Sequence, residues 1–268
     1  MKCFTYDNLM LNGRLGNQLW QIASTIGTAR RFGGVARFNP NWSYREVFPN
    51  LLDEYFQPVP EGYEVIDGGT EYLQDFSLFG FMADEFRAML QPSPKQEMFL
   101  KSNYTDFYSR SFRTSIHVRR GDYLKYPRHF PASSPEYYNE CVRLTKEAHP
   151  NASFVVFSDD IEWCRKNTDY LGVTNEDVQF IVGRSTPVEV ADRVELYPDY
   201  IDMQLMSKCN SHILSNSTFA WWGAFMSTGC NGPFDDKPMY PDKWFGPGVP
   251  NWENWEVCMP RGWRTIKC

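Results

Sequence analysis

The sequence of 268 residues predicts an α/β fold, with a doubly wound parallel sheet in the part of the chain that follows residue 112. Two observations lead to this prediction. Short runs of β-branched and aromatic residues alternate there with helical patterns, which is typical of βαβ units. In addition, the most polar segments follow directly after three predicted strands, where open α/β sheets bind their ligands. These segments are 117–122, 158–160 and 215–218.

The first hundred residues show one clear strand and one clear helix. Residues 2–6 are predicted to form a short strand that leads into a glycine-containing turn. Apolar residues then recur at helical spacing from 17 to 32, so this stretch is predicted to be a helix that ends at Gly33-Gly34. Residues 35–100 are rich in proline and aromatic residues, and we expect short strands, short helices and loops there.

After residue 112 the elements alternate regularly. Compact apolar runs indicate strands, and longer amphipathic stretches indicate helices; one of these has proline in its first turn. The predicted strands are 115–118, 154–157, 178–182 and 212–214, and the predicted helices are 135–148, 160–167, 200–209 and 217–227.

Composition and charge exclude several classes of protein. The net charge is −6 and no basic face is indicated, which excludes a nucleic-acid binder. We find no transmembrane stretch and no signal-peptide pattern. The seven cysteines have no CxxC spacing and the four histidines are dispersed, so we expect reduced thiols and no metal site. A cytoplasmic protein is therefore expected, with peripheral association to a membrane surface left open.

The segment His117–Tyr123 contains two adjacent arginines at a predicted strand end. A guanidinium group offers a planar fork for phosphate oxygens, and Gly121 lets the backbone turn sharply. Since side chains alternate along a strand, Arg119 is expected to face the ligand while Arg120 points elsewhere. The alternative is an ion pair between an arginine and Asp122 that only holds the turn together.

The segment Phe157–Asp160 places two carboxylates at the next strand end. A carboxylate can accept the two neighbouring N–H groups of guanine, which adenine does not present. Asp159 is the candidate for this contact. Capping of the following helix is the alternative, and a metal site at Asp159-Asp160 or Asp235-Asp236 is a weaker one.

Four small polar residues, 215–218, precede the predicted last helix. The free amides and the dipole of a helix N-terminus favour a phosphate there, and Ser215, Ser217 and Thr218 would add hydroxyl groups. Helix capping alone is the alternative. The following Trp221-Trp222 pair is interpreted as core packing.

A glycine-flanked turn, Gly13–Gln18, comes before the first helix. Its Arg14 and Asn17 could reach a nucleotide only if two lobes of the chain face each other. Such loops are common, so this signal is weak by itself.

Four sequence blocks together resemble glycosyltransferase family 11, the α-1,2-fucosyltransferases. In chain order they are GRLGNQ at 13–18, HVRRGDY at 117–123, FSDDIEW at 157–163 and DMQLMSKCNSHILSNSTFAWWGA at 202–224. The second and fourth blocks are the specific ones. The first three are also similar to motifs of protein O-fucosyltransferases and α-1,6-fucosyltransferases.

The resemblance implies a two-lobed GT-B-like fold, with residues 1–112 as an N-terminal lobe on the acceptor side and residues 113–268 as the lobe that binds a sugar linked to guanosine diphosphate (GDP). It implies transfer of L-fucose from GDP-fucose to a glycan hydroxyl, O-2 of a galactoside, with inversion. It also implies that no metal or further cofactor is needed.

The resemblance further assigns roles to individual residues. Arg119 would bind the β-phosphate as the catalytic cation, and Asp159 would read guanine. The remaining donor-binding residues would be Arg14, Gly16, Asn17, His117, Arg120, Ser215, Ser217 and Thr218.

The proton acceptor and the substrate are less defined. Asp122 is the first candidate for the general base, with Glu46 and Glu71 as alternatives. Competing functions are a transferase that acts on peptides, one that uses another GDP-sugar, and a non-catalytic protein that binds nucleotides or glycans.

Overall fold

The computed structural model describes residues 1–190, 194–227 and 236–268. Within these ranges the chain forms two parallel sheets. The smaller sheet has three strands in the order β2-β1-β3, and β1 pairs in parallel with both neighbours. Its elements, with the helix that joins the first two strands, are β1 (Lys2–Thr5), α1 (Leu15–Arg31), β2 (Val35–Arg37) and β3 (Glu64–Asp67).

Helix α1 confirms the first predicted helix and extends it by two residues at its start. The carbonyl oxygen of Arg14 accepts the N–H groups of Asn17 and Gln18, which closes the first turn. The predicted apolar face of the helix is buried, and from residue 18 to residue 27 the polar face is buried as well. The helix stops before Gly33, whose φ of +63° is a left-handed conformation that favours glycine.

The stretch between the two sheets contains short helices and loops, as predicted. Its longest helix starts with a capping box, in which the Ser93 hydroxyl accepts from the N–H of Gln96 while the Gln96 side chain accepts from the N–H of Ser93. The helices here are α2 (Ala83–Met89), α3 (Pro94–Asn103) and α4 (Thr105–Tyr108).

The larger sheet has six parallel strands in the order β11-β10-β9-β4-β5-β6. A separate antiparallel hairpin is formed by β7 and β8. In chain order the elements are β4 (Arg113–Val118), α5 (Pro135–Ala148), β5 (Ser153–Ser158), α6 (Ile161–Lys166), α7 (Thr168–Leu171), β6 (Val178–Phe180), β7 (Val188–Val190), β8 (Val194–Leu196), α8 (Pro198–Ser207), β9 (Ser211–Ile213), α9 (Thr218–Phe225), β10 (Met239–Pro241) and β11 (Arg264–Ile266).

The strand order confirms the α/β fold with a parallel sheet. The chain runs outward from β4 to β6, returns to the other side of β4 at β9, and continues outward to β11. Helix α5 packs on one face, against Ile116 and Val156, whereas α8 and α9 share a core with Val155 and Phe157 of the other face. The sheet is therefore doubly wound, and its direction reverses between β4 and β9.

Three features of this part of the chain were not predicted. Strands β10 and β11 have only three residues each, and β10 follows Pro238 and ends at Pro241, a pattern typical of loops. The β7–β8 hairpin lies where the sequence alternates charged and apolar residues beside proline. Helix α8 begins at Pro198, two residues before the predicted start, because proline is well accommodated in the first turn.

An aromatic cluster joins the two sheets. The ring of Trp20 on α1 lies 4.4 Å from Trp221 and 5.7 Å from Trp222, and Phe79 stacks on Trp222 at 5.8 Å. All four side chains are fully buried. The interpretation of the tryptophan pair as core packing is confirmed, and the packing fixes α1 against α9.

Candidate active site

The predicted site segments meet at the carboxyl ends of neighbouring strands. Segment 117–122 follows β4, segment 158–160 follows β5, and segment 215–218 follows β9. Since β4 has β5 on one side and β9 on the other, the three segments share one edge of the sheet. The edge next to β4 and β9 is where the winding reverses, and crevices at such points bind ligands.

Arg119 is the centre of an ionic cluster at this edge. Its guanidinium contacts Oδ1 of Asp122 at 2.6 Å and Oδ2 of Asp159 at 3.1 Å. Its Cζ lies 5.5 Å from the centre of the Tyr123 ring. The side chain is 16% exposed, so its charge is only partly screened by solvent. The guanidinium of Arg119, which was predicted to bind phosphate, thus contacts two carboxylates. One of them is Asp122, as the alternative of an arginine–Asp122 ion pair predicted.

Asp159 is therefore shared between two groups of the neighbouring turn. Its Oδ1 accepts the backbone N–H of Arg120 at 3.0 Å, and its Oδ2 faces Arg119. A Cβ added to Gly121 would lie 2.5 Å from the same Oδ2, so the turn comes this close only because residue 121 is glycine. Asp159 was predicted to bind guanine and Arg119 to bind the β-phosphate. Guanine and the β-phosphate lie at opposite ends of GDP, so these two roles require the two side chains to separate.

Arg120 points away from Arg119, as the alternation along the strand predicts. Its Cζ lies 3.6 Å from the centre of the Trp163 ring, and its Nε contacts Oδ2 of Asp160 at 3.2 Å. Asp160 also caps α6 by accepting the N–H of Trp163. The guanidinium of Arg120 thus contacts Trp163 and Asp160, and its predicted contact with the donor stays a prediction.

His117 and Ser215 form a buried pair between β4 and β9. Nδ1 of His117 lies 2.7 Å from the Ser215 hydroxyl, and the His117 carbonyl accepts from the hydroxyl of Tyr138. Burial, and secondly the charge of Arg119, lowers the pKa of His117 to about 3. The ring is therefore neutral near pH 7, and it can take part in hydrogen bonds but not in ion pairs.

The N-termini of α1 and α9 meet beside this pair. The Thr218 hydroxyl donates to Oδ1 of Asn17 at 2.9 Å, and the indole N–H of Trp222 donates to the Gly16 carbonyl at 2.8 Å. A Cβ on Gly16 would lie 2.7 Å from the backbone nitrogen of Phe219. The positive ends of two helix dipoles are thus close together, an arrangement that favours an anion.

Ser217 and Arg14 complete the predicted set. Ser217 is the N-cap residue of α9 and its side chain makes no capping hydrogen bond, so capping alone does not explain it. Arg14 is the N-cap residue of α1; its guanidinium is largely exposed and lies 3.9 Å from Asp122. The turn at Gly13, with φ of +89°, brings it there.

The alternative bases, Glu46 and Glu71, are exposed, and no described contact joins them to the Arg119 cluster. Asp122 is 44% exposed and faces both Arg14 and Arg119. It is thus the carboxylate among these three that lies in the cluster.

Two carboxyl groups of α8 were missed by the sequence analysis. The Tyr44 hydroxyl donates to Oδ2 of Asp199 at 2.6 Å, and a Cβ on Gly183 would lie 3.0 Å from Oδ2 of Asp202. Oδ1 of Asp202 is buried without a hydrogen-bond partner among the described residues. Burial, with a contribution from Asp199, raises the pKa of Asp202 to about 7. The signal was the i, i+3 spacing of two aspartates on a predominantly apolar helix.

The aspartate pairs considered for a metal have other partners where they are described. Asp159 and Asp160 contact arginines, and Oδ1 of Asp236 lies 2.5 Å from Nε2 of His149. Asp235 lies outside the described residues. No three His, Cys, Asp or Glu side chains converge in residues 1–190, 194–227 and 236–268.

No helix among the described residues is both long and apolar enough to cross a membrane.

Comparison with known proteins gives a family match. The model of the family Glycosyl transferase family 11 matches residues 72–232, which is more than half of the chain. The match includes the three segments that meet at the sheet edge.

Individual relatives are distant. The chain is 29% identical over 223 residues to the O-antigen biosynthesis glycosyltransferase WbnK of Escherichia coli, 38% over 115 residues to an alpha-1,2-colitosyltransferase of Escherichia coli, and 26% over 258 residues to a galactoside 2-alpha-L-fucosyltransferase of Caenorhabditis elegans. These matches cover 77%, 42% and 80% of this chain. They cover 68%, 35% and 66% of the relatives, so the chain spans about two thirds of their length or less.

Among solved structures, the chain is similar to NodZ alpha-1,6-fucosyltransferase soaked with GDP-fucose. The two sequences are 13% identical, and the TM-score is 0.45 over 84% of this chain and 92% of the other. Similarity at this level does not define the fold.

Proposed function

The chain belongs to glycosyltransferase family 11, and from this premise we propose that it is an inverting, metal-independent fucosyltransferase with a GT-B-like arrangement of two lobes. The proposed reaction moves L-fucose from GDP-fucose to O-2 of a galactoside in a glycan. The observation that carries the proposal lies at the reversal point of the sheet. Arg119 is linked there through Asp122 to Arg14 at the start of α1, and the start of α1 contacts the start of α9 through Asn17 and Thr218.

Arg119 is proposed to bind the β-phosphate. Departure of GDP places negative charge on that phosphate while the sugar carbon becomes cationic. A guanidinium and helix-terminal amides that already point at this position stabilise the charge where it develops, and loss of one such donor typically reduces the rate by 10²- to 10³-fold. Phosphate oxygens would replace at least one of the carboxylates that now contact Arg119.

Residues around Arg119 would complete the donor site. Gly16 and Asn17 bring α1 against the start of α9, where Ser217 and Thr218 would hold phosphate oxygens. Arg14 would close over the phosphates from the N-terminal side. His117 and Ser215 would contact the nucleotide as neutral groups.

Asp122 is proposed as the general base. In an inverting displacement the acceptor oxygen attacks from the side opposite the leaving phosphate, and its proton passes to a carboxylate. Asp122 now contacts Arg119 at 2.6 Å. To serve as the base it would have to leave the guanidinium when phosphate binds there and turn toward the acceptor, because the attacking oxygen and the leaving phosphate lie on opposite sides of the sugar carbon.

Recognition of guanine has two candidates. Asp159 was proposed from the sequence, but both of its oxygens have partners in the neighbouring turn. Asp202 has a buried oxygen with no partner among the described residues, and this oxygen could accept a guanine N–H. We keep Asp159 as the proposal, with Asp202 as the rival that the experiment must exclude.

The proposal keeps the division of the chain that the sequence predicts. Residues 113–268 would bind the donor, and residues 1–112 would contribute the acceptor side. A cytoplasmic location with peripheral association to a membrane surface is part of the proposal.

The test is turnover across nucleotide sugars. GDP-fucose, GDP-mannose, UDP-galactose and ADP-glucose are offered with and without lactose, and released nucleotide and the linkage of the product are measured. We expect release from GDP-fucose that is stimulated by lactose and an α-1,2-linked product. Equal use of UDP- or ADP-sugars would contradict the proposed donor.

A second donor sugar is worth including, because one relative bears the name of a colitosyltransferase. GDP-colitose in the same assay decides between the two sugars. A kcat/KM for GDP-colitose that exceeds that for GDP-fucose would replace fucose by colitose and leave the GDP assignment intact.

A further inference from the structure

Arg120 takes part in a closed set of contacts between the ends of β4 and β5. Its guanidinium lies on the Trp163 ring at 3.6 Å, and its Nε contacts Oδ2 of Asp160. Oδ1 of Asp160 accepts the N–H of Trp163 at 3.3 Å. Each of the three residues thus contacts the other two, and the Arg120 side chain is only 19% exposed.

The backbone of the same residue contacts the ionic cluster around Arg119. The N–H of Arg120 donates to Oδ1 of Asp159, whose Oδ2 faces Arg119. Arg120 therefore connects two parts of this region. Its side chain contacts the turn at 160–163, and its backbone N–H contacts Asp159. A shift of the side chain would move Asp159 relative to Arg119.

We propose that Arg120 is a positioning residue that does not contact the donor, and that it sets the geometry of Arg119 and Asp159 through its stack on Trp163. This inference rests on the proposed function, since its effect is read from donor binding and turnover. A cation over the face of an indole ring is attracted to it, the Arg120 side chain is largely buried, and Asp160 already contacts one edge of its guanidinium.

The experiment is a set of double-mutant cycles on kcat/KM with GDP-fucose and on the GDP dissociation constant. Arg120→Met and Trp163→Leu are each expected to lower kcat/KM about tenfold, and the double variant about tenfold rather than a hundredfold, because both remove one stack. In an Asp159→Asn background, Arg120→Met is expected to add less than about a twofold loss. Trp163→Phe keeps a ring and is expected to stay near wild type.

Arg165→Met is the matched control. It removes another arginine that lies over an aromatic ring, Phe180 at 5.2 Å, from the same helix as Trp163, and should leave both constants unchanged.

Losses that multiply in both cycles would mean that Arg120 contacts the donor. A lowered melting temperature with unchanged kcat/KM at 25 °C would mean a structural role only. Either result overturns the inference. Absence of GDP binding by the wild type would instead overturn the proposed function, and the inference with it.

Discussion

At the scale of single residues, the guanidinium of Arg119 contacts two carboxylates, and in the proposed reaction phosphate would displace at least one of them. This exchange suits arginine, because carboxylate and phosphate both fit its planar fork, whereas lysine presents a point charge. The charge of the arginine is also required in place of a metal in the proposed reaction. The proposed phosphate role therefore fits an arginine at this position better than a lysine.

We expect Arg119→Ala to lower kcat by at least about 10²-fold and Arg119→Lys to recover little of the loss. Initial rates at saturating GDP-fucose measure this. Arg143→Ala, which removes an exposed arginine paired with Glu140 and Glu147, serves as the control. An Arg119→Ala protein that keeps more than about a tenth of the activity would contradict the assignment.

The residue that recognises guanine can be identified by comparing the affinities for GDP and ADP, because the affinity for GDP alone does not separate contacts with the base from contacts with the phosphates. Substitution of the reader by asparagine places a donor against the donor edge of guanine and should weaken GDP by about 1–3 kcal/mol without weakening ADP. Asp159→Asn and Asp202→Asn are compared by calorimetry with both nucleotides. A variant that weakens GDP and ADP equally has disturbed the phosphate site instead, which for Asp159 would point to its contact with Arg119.

Asp202 also predicts a pH dependence of stability. Burial raises its pKa to about 7 in the folded protein, above the value near 3.9 of an unfolded chain. The folded state therefore binds more protons between these two values, and this contribution to the free energy of unfolding is present below about pH 4 and is lost as pH rises to about 7. The melting temperature of Asp202→Asn should therefore exceed that of the wild type by several degrees more at pH 8 than at pH 5. An equal difference at both pH values would contradict this.

At the scale of secondary structure, the junction of α1 and α9 depends on the absence of a side chain at residue 16. A Cβ there would meet the backbone nitrogen of Phe219 at 2.7 Å and the Thr218 hydroxyl at 2.8 Å. Gly16→Ala should therefore force the two helix ends apart and weaken GDP binding by about tenfold or more, because the amides no longer converge on one anion.

Gly33→Ala is the control for this prediction. Its Cβ would meet open space, but the φ of +63° makes alanine strained, so the variant should lose stability and keep its GDP affinity. Calorimetric titration and thermal unfolding of both variants separate the two effects. A Gly16→Ala protein with unchanged GDP affinity would show that the helix ends do not form the phosphate site.

Elements with local signals were predictable from the sequence. Helix α5 has Ser134 as its cap and Pro135 at its first position, and both of its ends were predicted correctly. The polar segments at strand ends were also predicted, because the sheet topology follows from the alternation of elements. Strand β10 has no such signal, since its three residues follow Pro238 and end at Pro241, a pattern typical of loops.

Contacts between distant segments could not be predicted from the sequence. Thr218 and Asn17 are 201 positions apart, and their hydrogen bond depends on how α1 packs on α9. The stack of Arg120 on Trp163 joins two different strand ends, and no local pattern distinguishes it from a ligand contact. The same holds for Asp202, whose burial depends on the loop that contains Gly183.

At the scale of the whole molecule, positive charge at the site has to be provided by a chain whose net charge is −6. It comes from Arg14 and Arg119 and from two helix N-termini that the packing of the tryptophan cluster fixes in one place. A transferase that relies instead on Mg²⁺ or Mn²⁺ depends on the ion for stabilisation of the leaving phosphate, which is worth several kcal/mol and orders of magnitude in rate.

Transfer by this protein should therefore persist in excess EDTA. In the proposed reaction Arg119 and the start of α9 neutralise the departing phosphate, so removal of divalent ions should change the initial rate by less than about twofold, far below the effect of losing a Lewis acid. Rates are measured with EDTA, without EDTA, and after Mg²⁺ or Mn²⁺ is added back. A loss of activity that either ion restores would contradict the arginine-based mechanism. Asp159 would then be reassigned as a metal ligand, since its two oxygens lie at the strand end beside Asp160, and their partners among the described residues are Arg119 and the backbone of Arg120.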